Sequence, residues 1–167
     1  MVKTGRTAGQ TGLLGIYLND HLAGATTGVE LARRVAAAKR DDPGGEVLRG
    51  LANEIAEDRA ALLKIMAALG VPVRRYKVIG GWAAEKAGRL KPNGRIVRRS
   101  PLSDLVELEA LRLGVEGKSA LWAALRTRAG SHPALDGERL DDLFSRARRQ
   151  SEVIEDLRLR VASEALR

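Results

Sequence analysis

The 167-residue chain contains no cysteine, which excludes disulfides, thiolate zinc sites and cysteine nucleophiles. Aromatic residues are nearly absent too: one Phe, two Trp and two Tyr. The apolar fraction of 44% therefore comes from Ala, Leu and Val, a palette that suits helices packed side by side and is poor for β-sheet. Nowhere do about 18 apolar residues run together, so no membrane span is expected. The two basic residues near the start are followed by no continuous apolar run before Asn19 and Asp20, so no signal peptide is read and a cytoplasmic location follows by default. Phosphate-binding glycine motifs are missing as well: Gly80-Gly81 and Gly94 fit neither G-x-G-x-x-G nor the P-loop spacing. The segment "GVEGK" at Gly114 to Lys118 lies inside a helical pattern, where close helix packing accounts for its glycines. Ser100, Ser103, Ser119 and Ser151 have no histidine at a readable spacing, so no hydrolase triad is supported.

What is present is periodicity and breakers. One helix is predicted from about Gly12 to Arg40, stopped by Asp41-Asp42-Pro43-Gly44-Gly45. A second runs from Glu46 to Leu69, with Gly70 and Pro72 ending it. The third begins at Pro101 behind Ser100 as N-cap and reaches about Arg128, before Gly130-Ser131-His132-Pro133. The fourth starts near Asp136 and continues to Glu164. Two joints are short, which predicts two antiparallel hairpins within a single domain spanning residues 1–167, with residues 1–11 as a flexible N-terminus.

The third joint, residues 70–99, is long and basic. Between Val73 and Ser100 stand Arg74, Arg75, Lys77, Lys86, Arg89, Lys91, Arg95, Arg98 and Arg99 against the single acid Glu85. Nine cations minus one acid is +8, the net charge of the whole chain. Such a cluster points to an anionic partner, either nucleic acid or an acidic protein face, with Tyr76 and Trp82 placed to stack on bases. A solvated basic helix explains the same charge, and anchoring aromatics explain Trp82 equally well. Tyr76, Val78, Ile79, Trp82, Ala83 and Leu90 predict a short extra helix in this connector.

Two long hairpins joined by a long connector resemble the ferritin-like superfamily. The stretches "YLNDHLAGATTGVELARR", "EIAEDRAALLKIMAALGV" and "SPLSDLVELEALRLGVEGKSALW" are also similar to small actinobacterial-type helical proteins without assigned function. The fold expected is thus all-α, an antiparallel four-helix bundle of ferritin-like type.

On a helical wheel at about 100° per residue, several polar groups fall inside the apolar arcs. In the first helix His21 lies near the middle of the arc, while Asn19, Asp20, Glu30 and Arg33 lie outside it; Gly24 and Gly28 make the face slim enough for another helix to approach. Asp58 lies within the second arc. Glu109, Arg112 and Glu116 form a stripe in the third, and Gln150, Ser151 and Arg158 interrupt the fourth. The expected result is a polar layer of His21, Asp58, Glu109, Arg112, Glu116, Gln150 and Arg158. Unpaired charge inside a protein costs several kcal/mol, so this layer must be paired or metal-bound.

Two readings of the layer follow. In one, Arg112 and Arg158 neutralise Glu109 and Glu116 in a salt-bridge network that fixes helix register, with no cofactor. In the other, the ferritin-like resemblance implies His21, Asp58, Glu109 and Glu116 as ligands of Fe or Mn. The chain has no Glu-x-x-His, His132 lies in a loop, and Arg59, Arg112 and Arg158 would repel a cation, so the network is favoured. A connector crossing the length of the bundle would put Asp58, Glu116 and Gln150 at one height; a connector folding back would align His21, Glu109 and Arg158 instead. The reading as a whole is a non-catalytic structural or interaction protein, a homo-oligomer, with a metal-carboxylate oxidase or iron-handling protein and a nonspecific nucleic-acid binder as the alternatives.

Overall fold

The structure, a computed structural model, describes residues 8–74 and 100–167. Arg74 falls within this range; the rest of the cation cluster, Tyr76, Trp82 and the expected connector helix lie outside the described residues. Among the described residues there are four long helices and no strand: α1 (Ala8–Ala38), α2 (Gly45–Ala68), α3 (Pro101–Arg126) and α4 (Gly137–Ala165). A 3-10 turn over Ala129–Ser131 lies between α3 and α4. Helix α1 starts four residues before the expected Gly12, because Ala8, Gln10 and Thr11 offer no breaker. No helix among the described residues is long and apolar enough to cross a membrane.

The helix ends follow local chemistry. Ser100 caps α3 by accepting the Leu102 N–H at 3.3 Å, and Pro101 fills the first helical position, where its missing N–H costs nothing. Asp136 caps α4 through the Arg139 N–H at 3.1 Å. Helix α2 ends on Gly70, whose φ of +66° lets its N–H reach the Ala67 carbonyl while the Val71 N–H reaches Met66. This double bond closes the helix and turns Val71 into the core, 5% exposed.

Leu18, Val29, Leu62, Met66, Leu108, Leu121, Trp122, Leu140, Leu143 and Ile154 belong to one continuous core cluster. The polar contacts order the helices around it. Along α1 and α2, Thr26 meets Arg59 and Asn19 meets the Pro72 carbonyl. Along α3 and α4, Glu109 meets Arg158, Glu116 meets Ser151 and Arg126 meets Asp141. Between α1 and α3, Arg34 pairs with Glu107 at 3.2 Å and Lys39 with Asp104 at 2.9 Å. In each case rising numbers on one helix meet falling numbers on the other.

Two expectations about glycine do not hold. A Cβ built at Gly24, Gly28, Gly114 or Gly117 would meet nothing within 4 Å, so no helix among the described residues presses on those positions. Glycine inside a helix costs roughly 1 kcal/mol relative to alanine, and internal packing does not repay it here.

Candidate functional site: a buried ion cluster between three helices

The most deeply placed charge is Asp58 on α2, whose side chain is 0% exposed. Four-residue spacing sets Glu54 and Asp58 on one face of α2, and Arg146 and Gln150 on one face of α4. Lys118 enters from α3. Its ammonium donates at 2.5 Å to Asp58 Oδ2 and at 2.5 Å to Gln150 Oε1. The Arg146 guanidinium donates from Nη2 to Asp58 Oδ1 and from Nη1 to Glu57 Oε2 at 2.9 Å. Gln150 completes the set by donating its amide N–H groups to Glu54 Oε2 at 2.9 Å and Asp58 Oδ2 at 3.2 Å. Both carboxylate oxygens of Asp58 are thereby occupied.

The electrostatics follow from burial. Desolvation pushes the Lys118 ammonium below its ordinary value; attraction to Asp58 offsets part of this, and repulsion from Arg146 adds to it. Arg146 Nε is buried with no hydrogen-bond partner among the described residues. The arrangement can fix the mutual register of α2, α3 and α4: both oxygens of Asp58 carry donors, and the Lys118 and Arg146 cations stand beside it where a metal ion would have to approach.

The other expected members of the interior layer lie elsewhere. Glu109 and Glu116 are exposed, and Arg112 and Arg158 are only half-buried, because the apolar arc of α3 is narrower than the wheel drew it. Glu109 lies 3.4 Å from Arg158, Arg158 holds Glu155 at 2.7 Å, and Arg112 reaches Glu155 at 3.4 Å. Glu116 accepts a hydrogen bond from Ser151 at 2.5 Å instead of pairing with an arginine. The Arg158 hydrogen bond holds the Glu155 carboxyl below its ordinary value, with Arg112 adding to the effect against a smaller desolvation. Arg59 donates to Thr26 at 3.0 Å and takes no part in the cluster.

His21 is half-buried and packs edge-on against Tyr17, with ring centroids 4.6 Å apart. Burial lowers its proton affinity, and nearby Asp20 restores only part of it. The four residues weighed as metal ligands, His21, Asp58, Glu109 and Glu116, do not converge. Among the described residues no three His, Asp or Glu side chains are grouped to hold a metal ion.

Three residues were missed from the sequence. Lys118 lies inside the buried arc of α3, between the directions of Leu111 and Leu125, and its wheel position is the signal that could have found it. Arg146 attaches at the edge of its arc and reaches inward on a long stem; the paired four-residue spacings on α2 and α4 are the signal that could have found it. Asn19, expected outside its arc, is 4% exposed. It donates to the Gly15 and Pro72 carbonyls at 2.7 and 3.2 Å and accepts the Arg74 N–H at 2.7 Å, which ties the start of the basic connector to α1. A separate apolar cleft of about 360 Å³ lies at this end of the helices, lined by Leu13, Leu14, Tyr17, Leu125, Arg128 and Leu135.

No protein family, curated protein or solved structure matches the chain. Its function must therefore be argued from its own residues.

Proposed function

We propose that the chain is a non-catalytic structural and interaction module, a homo-oligomeric helical bundle locked from inside and carrying a basic connector toward an anionic partner. The observation that carries this reading is the pairing of Asp58 with two cations, Lys118 and Arg146, and with Gln150. A carboxylate held in this way across three helices fixes register, and its two cations repel a metal ion.

The contact order supports a ferritin-like arrangement. Opposed pairs for α1–α2, α1–α3 and α3–α4 make an up-down-down-up order of helices, and the meeting of Asp58, Lys118 and Gln150 favours a connector that crosses the length of the bundle. Arg74 is held near Asn19, while Asp104 pairs with Lys39, twenty residues and about 30 Å further along α1.

Fluorescence-polarisation titration with DNA, RNA and polyphosphate tests the anionic partner. The quadruple variant Arg74→Ala, Arg75→Ala, Arg98→Ala, Arg99→Ala is expected to weaken binding and flatten its salt dependence. Binding by the variant equal to that of the wild type removes the connector from the account.

A further inference from the structure

The outward face of α3 is unusual for a chain that is 30% charged. Leu102, Val106, Ala110, Leu113, Gly117, Ala120 and Ala124 lie on one stripe of the wheel, and all but the half-buried Gly117 are exposed. Leu113 is 64% exposed and Leu102 53%. The stripe is polarised along its length: its first half carries the large side chains, and its second half is glycine and alanine. Gly114 and Gly117 weaken the helix, and among the described residues nothing lies within 4 Å of where their Cβ atoms would be.

We propose that this face is a homodimer interface, in which the α3 helices of two copies pair antiparallel about Leu113. The inference rests on the reading of the chain as a self-associating module and names the surface it uses. An antiparallel second copy sets Leu102 and Val106 of one chain over Ala124 and Ala120 of the other, knobs against the low half of the stripe. Parallel pairing would stack large on large and leave a gap between the small halves. The charges at the edge agree with the antiparallel choice. Arg112, whose guanidinium is part-exposed and reaches Glu155 of its own chain at 3.4 Å, comes within about 3 Å along the axis of the exposed Glu116 of the second copy, and the symmetry makes that pair twice. Glu109 is already met by Arg158 on its own chain.

The stripe is about 33 Å long and about 10 Å wide, on the order of 330 Å² per copy. A stable dimer needs about 800 Å² per partner, so the flanking row of Arg112, Glu155, Arg158 and the exposed Leu159 must join it. The area predicts a dimer that forms with rising concentration.

Sedimentation velocity on the full chain, from micromolar to sub-millimolar concentration, reads the association, with circular dichroism confirming that each variant folds. The wild type is expected to pass from monomer to dimer, and Leu113→Arg to lose the dimer over the whole range. Because the chain has no cysteine, single substitutions read the geometry. Oxidised Leu113→Cys is expected to cross-link to itself. Val106→Cys and Ala120→Cys should cross-link to each other when mixed and neither to itself, since like positions lie about 21 Å apart. A wild type that is monomeric throughout overturns self-association and the interface with it. Association that survives Leu113→Arg, or Val106→Cys linking to itself, leaves self-association standing and overturns this interface.

Discussion

Two charged assemblies share α3 and α4, the first reaching α2 as well, and they differ in burial more than in composition. Around the buried Asp58, Lys118, Arg146 and Gln150 form hydrogen bonds largely shielded from water. Two turns further along α4, Glu109, Arg112, Glu155 and Arg158 pair at comparable distances in contact with solvent. The difference teaches that a contact of given length carries stability in proportion to what its loss would leave behind. A stranded charge in the first assembly has no water to turn to. In the second, water replaces the lost partner at little cost.

The sharpest way to break this comparison is to remove Asp58. Asp58→Ala leaves two buried cations facing one another and is expected to cost about 3–5 kcal/mol, a fall in Tm on the order of 10 °C by calorimetry. A smaller loss is expected from Asn19→Ala, which is buried but uncharged. It removes the hydrogen bonds to the Arg74 N–H and the Pro72 carbonyl, both on exposed residues that water can reach, at about 0.5–1.5 kcal/mol in a urea melt.

A pH effect comes next. His21 has a folded-state proton affinity below its ordinary value, so the folded chain resists protonation more than the unfolded one does. Stability is then held above the ordinary histidine value near pH 6.5 and falls as pH drops through it. Because His21 is only half-buried the fall is small, and a series of thermal melts of His21→Gln should flatten it. The least effect belongs to Arg158→Ala: its melting temperature should match the wild type at physiological salt, any deficit at low salt vanishing as ions are added. A large deficit that persists in high salt would erase the distinction between the two assemblies.

The helices were legible because their ends are chemically marked. Ser100-Pro101, Gly70 and the Asp41 to Gly45 run each stop or start a helix for a local reason, and local reasons survive in a sequence. Asp58 and Gln150 were legible as interior for the same reason, being centred in their arcs. Their partners were not. A wheel records where a side chain is attached: Arg146 attaches at the edge of its arc and acts some way from that point through a flexible stem, while Lys118, inside the buried arc of α3, is one cation on a helix whose apolar residues run most of the way round. The same wheel placed Glu109 and Glu116 inside, since a wide apolar arc does not reveal which part of it meets another helix. On α3 the remainder faces outward, and that outward part is the stripe around Leu113. Asn19 escaped notice because its neighbours are the backbone groups beyond α2, which carry no periodicity.

The central claim is that the interior is a closed structural lock. Elemental analysis of the purified, untagged chain after reconstitution with Fe(II), Mn(II) and Zn(II) and gel filtration tests it most directly. The account predicts no retained stoichiometric metal. A whole-number metal content that is lost in a folded Glu116→Ala or Asp58→Asn variant would contradict it and make the cluster a metal site.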